Sequence, residues 1–219
     1  MNRIIAIVWL AVGMLGFSAC GSSNATGSKT HYKVPVVDNT VYGKLDTAYF
    51  ASGCFWAVEG IFDSLKGVKE AESGYSGGHT KNPDYRDVST EKTGHAETVA
   101  VYYDPKIISY STLLEVYFAS QDPTQVNGQG PDRGDSYRSV IFYTNSEEQQ
   151  LANDYKNKLG SSGKYKKPIA VQIVPFKAFY KAEEYHQNYD QHHADEPYVA
   201  SVSIPRIERA QAMFPKLLK

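Results

Sequence analysis

The apolar positions along the chain change period several times, and each change marks an element. Ala48-Tyr49-Phe50 is a short apolar run that predicts a strand. Directly after it, Phe55, Val58, Ile61, Phe62 and Leu65 stand at offsets 0, 3, 6, 7 and 10, which predicts an amphipathic helix opening at Cys54. Residues 97 to 103 alternate and are β-branched, a strand that Asp104-Pro105 ends. Residues 113 to 120, carrying Leu113, Leu114, Tyr117 and Phe118, predict a helix that Ser111 or Thr112 can cap. Residues 138 to 144 predict a strand, after which Asn145 or Ser146 caps a charged helix running through Lys158. A strand is expected at 170 to 174, and a helix rich in Tyr and His at 179 to about 193. Pro205 starts a short amphipathic helix with Ile207, Ala210 and Phe214. Residues 71 to 79 and 126 to 135 read as Gly-rich loops, with a turn at Asn82-Pro83-Asp84. The roughly alternating order of strands and helices predicts an α+β fold, a two-layer mixed β-sheet with flanking helices and long loops.

The first twenty residues are of a different character. Arg3 is their only charge, Ile4 to Phe17 is almost wholly apolar, and Ser18-Ala19 precede Cys20. This reads as a short export signal over 1–19, too short to span a bilayer comfortably as a helix. Small residues before a Cys resemble the lipobox of bacterial lipoproteins, with Phe17 where Leu is commoner. On that resemblance Cys20 is the lipidated first residue of the mature protein, and residues 20–45 are a Gly/Ser-rich tether ending in an extended arm. The other reading is an ordinary signal peptide cleaved slightly further on. The lipoprotein reading places the protein in the bacterial cell envelope as a membrane-anchored form.

With 219 residues, 42% hydrophobic and 21% charged, the chain has globular values and room for one ordinary domain. Its formal charge is −1, with no basic run, which gives no support for nucleic-acid binding. Cys20 and Cys54 are the two cysteines. If Cys20 carries a lipid, Cys54 is a lone thiol in an exported protein, a candidate for reactivity rather than for a structural disulfide.

The local pattern supports that reading without deciding it. Gly53 allows a tight strand-to-helix turn, and Cys54 at a helix N-terminus would meet unpaired N–H groups and the positive end of the dipole. A thiol so placed can fall from about 8.5 to roughly 3.5–7.5 in pKa. A buried cysteine acting as a small hydrophobe fits the same pattern. Glu97 and the segment Asp132 to Arg138 put polar groups at strand starts, and Tyr85 follows a turn. Each has a duller use: Glu97 as a solvated strand end, Tyr137 as a core ring, Asp132 as a turn former.

Taken together, Gly53-Cys54-Phe55-Trp56, Asn82-Pro83-Asp84-Tyr85-Arg86, Thr93-Gly94-His95-Ala96-Glu97 and Tyr137-Arg138-Ser139 resemble, in order, the signature segments of the A-type peptide methionine sulfoxide reductases. Glu184-Tyr185-His186-Gln187 is similar to a later helix of that family. The resemblance covers about 48 to 193 and implies a catalytic domain over 46–219 with a ferredoxin-like core. It implies that Cys54 attacks the sulfoxide sulfur, that Glu97 is the general acid, and that Tyr85 and Tyr137 donate hydroxyls to the same oxygen. It gives Phe55 and Trp56 as the apolar wall for the substrate methyl and Asp132 as an acid that helps fix the site. The implied substrate is the S epimer of methionine sulfoxide, free or in oxidised protein, and turnover leaves a sulfenic acid on Cys54.

The departures are informative. Gly134-Asp135-Ser136 stands where the family often has Thr-Gln before the Tyr, and residues 194 to 219 hold no resolving cysteine. An external thiol, thioredoxin-like in the cell or dithiothreitol in the test tube, is therefore the expected reductant, with no bound cofactor and a monomeric enzyme. Glu183, His186 and Asp190 share a predicted helix face near His192 and His193, but a full ligand set is not visible and no metal is expected. Two rival functions remain: a lipid-anchored binding module, and a Cys-His hydrolase using His95.

Overall fold

A computed structural model describes residues 44–219 of the chain. The signal peptide, Cys20 and most of the tether expected from the sequence lie outside the described residues.

The apolar run Ala48-Tyr49-Phe50 lies in β1 (Asp46–Ala51), whose side chains divide between two buried layers. Ala48 and Phe50 enter the larger core, while Tyr49 and Ala51 face a smaller one on the other side of the sheet. β1 pairs antiparallel with β3 (Ala96–Tyr103) on one side and β6 (Val140–Tyr143) on the other. β3 is buried at all eight positions, because β2 (Val68–Ser76) covers its far edge and both faces are packed. Two short strands finish the sheet. β7 (Gln172–Pro175) runs parallel to β6, and β8 (Phe179–Lys181) runs antiparallel to β2, giving the order β7-β6-β1-β3-β2-β8. The result is the two-layer α+β mixed sheet that the pattern predicts.

The helices supply the other half of the larger core. α1 (Phe55–Asp63) contributes Phe55, Val58, Ile61 and Phe62. A single turn, α2 (Tyr85–Val88), precedes β3, and α3 (Tyr110–Ala119) brings Leu113, Leu114, Tyr117 and Phe118. α3 begins one turn earlier than the sequence suggests, because Ser109 rather than Ser111 or Thr112 accepts the amide of Thr112 and caps it. The buried hydroxyl of Tyr117 donates to the carbonyl of Ala51 at 2.9 Å, which pins the end of β1 just before Cys54. Asn145 caps α4 (Ser146–Ser161) by accepting from Glu148. A short α5 (Tyr189–His192) and α6 (Ile204–Met213) complete the set, α6 with Pro205 in its first turn. The 126–135 segment, expected as loop, contains a two-residue ladder between β4 (Gly128–Gln129) and β5 (Asp132–Arg133).

Two segments depart further from the pattern. Residues 71 to 79 were expected as loop, yet through Ser76 they form β2, because pairing with both β3 and β8 outweighs the low strand preference of glycine. Gly74 is useful there: a Cβ at that position would lie 2.4 Å from Cζ of Phe179 and 2.5 Å from the Tyr180 carbonyl. Gly74→Ala is therefore expected to lower the unfolding free energy in urea by about 1–3 kcal/mol, since the β8 backbone must move away. An unchanged midpoint would show that β8 does not depend on that close approach. The expected helix at 179–193 is likewise absent as one element. β8 takes its start, a 3₁₀ turn covers Glu184–His186, and Asn188 is left-handed (φ +53°) before α5. Gln187 explains the break, for its side chain accepts from Ser73 N and donates to Ser73 O, continuing the β2 edge where β8 has ended.

Candidate active site

Antiparallel pairing of β1 with β3 places Phe50 opposite Val99, so the turn leaving β1 and the residues opening β3 share one end of the sheet. Gly53 makes that turn at φ +78°, and a Cβ on it would sit 2.6 Å from Gln129 Cβ, so the left-handed turn and the close packing both call for glycine. Cys54 follows as the N-cap residue of α1. The first free amide of that helix, on Phe55, donates to Glu97 Oε2 at 3.0 Å. The carboxyl from β3 thus docks on the helix end that carries the thiol.

This arrangement revises the expected acidity of Cys54. The helix terminus was expected to lower the thiol pKa, but Cys54 is buried, and burial drives its pKa well upward. Neighbouring Glu97 and Asp132 carboxylates push the same way, while the Trp56 amide and the Tyr198 hydroxyl pull it back only in part. The resting group is a thiol. Glu97 is also buried, which raises its carboxyl to about 8 against the opposing hydrogen bond from the Phe55 amide. At neutral pH it carries a proton.

The two tyrosines near this carboxyl come from separate segments. Tyr85 opens α2, held by a reciprocal Asp84–Asp87 capping box and by its amide donating to Glu183 Oε1 at 2.8 Å. Tyr137 ends a 3₁₀ turn over Asp135–Tyr137, anchored where Ser136 N and Oγ donate to Glu91 at 2.8 and 2.6 Å. Arg138 then donates to the carbonyls of Asp135 and Gly94, tying the Tyr137 turn to the segment that leads to Glu97. Burial raises both phenols, and Glu97, where it is ionised, adds to the rise, as do Cys54 and Asp132. Both hydroxyls therefore remain protonated donors.

Trp56 and Phe55 occupy unequal positions. Phe55 is 1% exposed, wedged against Tyr75 and His186, so it forms the floor rather than an open wall. Trp56 is half-buried, stacks on Tyr189 at 3.8 Å, and donates its indole N–H to His186 Nδ1 at 3.1 Å. That bond leaves the proton of neutral His186 on Nε2, which is buried without a hydrogen bond, 3.9 Å from Glu183 Oε2. Asp132 lies in β5 and accepts the Tyr198 hydroxyl at 2.7 Å.

Tyr198 is the site residue that reading the sequence missed. It stands beside Cys54 and Trp56 and bridges to Asp132, yet its segment, residues 194–200, carries neither a thiol nor a motif in the sequence. Its proximity to Cys54 is a tertiary fact that no local spacing announces. Arg206 was missed for the same reason. It comes from α6 and donates to Ser52 O and Oγ, beneath the Cys54 turn.

The structure also bears on the rival functions. His95 uses both ring nitrogens on backbone, Nδ1 accepting from Gly78 N and Nε2 bonding Thr80 O, so it forms no dyad with Cys54. The helix face expected to hold Glu183, His186 and Asp190 is broken at Asn188. Among the described residues no group of three or more His, Cys, Asp or Glu is arranged to hold a metal.

Comparison with known proteins gives the family. Residues 46–217 match the family model described as peptide methionine sulfoxide reductase. A peptide methionine sulfoxide reductase MsrA of Trichodesmium erythraeum is 46% identical over 171 residues, covering 78% of this chain and 97% of that protein. Reduced Mxr1 from Saccharomyces cerevisiae superposes with a TM-score of 0.64 at 32% identity, over 70% of this chain and 88% of that one. The methionine sulfoxide reductase A of Corynebacterium diphtheriae gives 0.63 at 32% identity, over 69% and 76%.

Proposed function

Because the chain belongs to the peptide methionine sulfoxide reductases and is a methionine sulfoxide reductase of the A type, we propose that it works through a sulfenic acid on Cys54, with Glu97 as the general acid. The observation that carries this reading is the shared helix end: one carboxyl, protonated at neutral pH, held on the amide next to the only cysteine among the described residues.

The sulfoxide oxygen must gain a proton as its bond to sulfur breaks, and the buried carboxyl of Glu97 keeps one available. The Tyr85 and Tyr137 hydroxyls donate to the same oxygen and stabilise charge where it develops. Trp56 covers the methyl group, over the floor made by Phe55. Asp132, bonded to Tyr198, holds that ring beside the sulfur. In net terms the Cys54 proton moves to oxygen through Glu97, the oxygen passes to the Cys54 sulfur, and the thioether leaves. The thiol becomes Cys–SOH while the sulfoxide becomes sulfide, so electrons and atoms balance.

No cysteine occurs among residues 55–219, so the sulfenic acid has no partner on the C-terminal side and an external thiol, thioredoxin-like in the cell, regenerates it. The apolar run ending at Ser18-Ala19-Cys20 supports an exported, lipid-anchored form that repairs oxidised methionine in the cell envelope. A single turnover tests the chemistry. Prereduced protein without reductant, mixed with excess methionine S-sulfoxide, is expected to release one methionine per Cys54 and leave one trappable sulfenic acid. Absence of methionine from the folded protein would overturn the reading.

A further inference from the structure

Two contacts hold Trp56, and they constrain different motions. Its indole stacks on Tyr189 at 3.8 Å with the rings 8° apart, and a stack sets the plane of a ring without setting its position in that plane. The in-plane constraint is the bond from the indole N–H to His186 Nδ1 at 3.1 Å. An indole nitrogen only donates, so this bond exists only while Nδ1 is unprotonated. Burial lowers the His186 pKa against the opposing pull of Glu183, and the residue is 1% exposed, so the ring is neutral with its proton on Nε2.

Glu183 favours that tautomer. Its Oε2 lies 3.9 Å from His186 Nε2, beyond hydrogen-bond length but near enough for a negative oxygen to favour a proton there. Both of its oxygens otherwise accept, Oε1 from the Tyr85 amide at 2.8 Å and Oε2 from the Tyr75 hydroxyl at 3.1 Å. The turn that carries His186 is fixed as well, since the Gln187 side chain exchanges two bonds with the Ser73 backbone. His186 stands between the rings of Phe55 at 5.0 Å and Tyr85 at 4.6 Å. Its two nitrogens therefore connect the carboxyl that anchors Tyr85 to the indole of Trp56.

We propose that Glu183 and His186 are positioning residues for the sulfoxide: Glu183 holds His186 in its Nε2–H form, and the free Nδ1 of His186 then fixes Trp56 over the substrate methyl group. This rests on the reading above of Trp56 as the cover of that methyl. In this role neither residue touches the reacting atoms or moves a proton. Their contribution is to affinity, equal in the bound sulfoxide and in the transition state. It is therefore read in the sulfoxide concentration that half-saturates the methionine burst, and not in the saturated burst rate.

Single turnovers of the full protein test this. His186→Phe keeps a ring and loses the acceptor, whereas His186→Asn places its Oδ1 near the position of Nδ1. His186→Phe is expected to raise the half-saturating concentration of methionine S-sulfoxide about tenfold, the upper range for one neutral hydrogen bond, with the saturated rate within about threefold of wild type. His186→Asn should recover most of that loss. Equal loss in the two variants, no loss in either, or a fall confined to the saturated rate overturns the proposal. A burst of one methionine per Cys54 certifies the fold of each variant, and should His186→Phe give none, Glu183→Gln carries the test. That amide keeps an oxygen for the Tyr85 N–H but turns an N–H toward His186. Nitrogen NMR of histidine-labelled protein should then find the His186 proton on Nδ1, with a raised half-saturating concentration, and an unmoved proton overturns the role of Glu183. The double variant should be no worse than His186→Phe alone, because one residue acts through the other, and additive losses would separate them and overturn the pairing. Trp56→Ala distinguishes this proposal from the reading beneath it. An unchanged half-saturating concentration there would remove Trp56 as the methyl cover, whereas a rise that the His186 variants fail to reproduce would overturn the positioning alone.

Discussion

Cys54→Ser is expected to leave a folded protein that forms no methionine, in a single turnover or with excess thiol. A serine hydroxyl at the same N-cap is a poor nucleophile toward sulfur and cannot carry the abstracted oxygen as a sulfenic acid. The loss in kcat/KM should reach at least about four orders of magnitude, the scale seen when a catalytic nucleophile is removed. Stability should change little, because serine is nearly isosteric and suits an N-cap, a position where Cys54 makes no side-chain capping bond. Circular dichroism and a urea midpoint check that half of the expectation. Turnover within tenfold of wild type would place the nucleophile elsewhere and revive the reading of Cys54 as a packed hydrophobe.

Glu97→Gln is the second large effect. The amide keeps an oxygen to accept from the Phe55 N–H but has no proton to give to the leaving oxygen. The methionine-forming step should fall by about 10²–10⁴. The wild-type rate should be level at neutral pH and decline as pH rises through about 8, where the carboxyl loses its proton. In the variant that decline disappears. Stability moves the other way. Folding raises this pKa from 4.5 to about 8, so the native state binds the proton more tightly and loses stability as pH climbs between those values. Glu97→Gln should therefore be at least as stable as wild type at pH 8.5. A variant with wild-type burst kinetics would assign the proton to one of the tyrosines.

Much of this was legible along the chain, and the reasons differ by element. β1 and α1 announce themselves because a short apolar run gives way to a 3.6-residue period across Gly53, which leaves few geometries for Cys54. The four signature segments name Cys54, Glu97, Tyr85 and Tyr137, and the fold gathers all four at one end of the sheet. What the pattern could not carry is whatever depends on two distant segments. β8 exists because Gly74 admits Phe179 and Tyr180, and nothing in the Tyr-rich run at 179–193 distinguishes that partner from a helix. The acidity of Cys54 was misread for a similar reason. The helix end is visible in the sequence, but the burial and the Glu97 carboxylate that outweigh it come from the tertiary fold. Tyr198 and Arg206 reach the site over more than a hundred residues of sequence, by contacts no spacing encodes.

The outer strands of the sheet have a bearing on the company such an enzyme keeps. An open strand edge is a template on which a loose segment of another chain can pair. β7 offers four residues ending in Pro175, which has no N–H to lend, and β8 offers three, followed at once by the Gln187 side chain that takes up the next backbone groups of β2. A frayed client thus finds little template on either flank. Both flanks of the sheet are short and blunted against pairing with another chain.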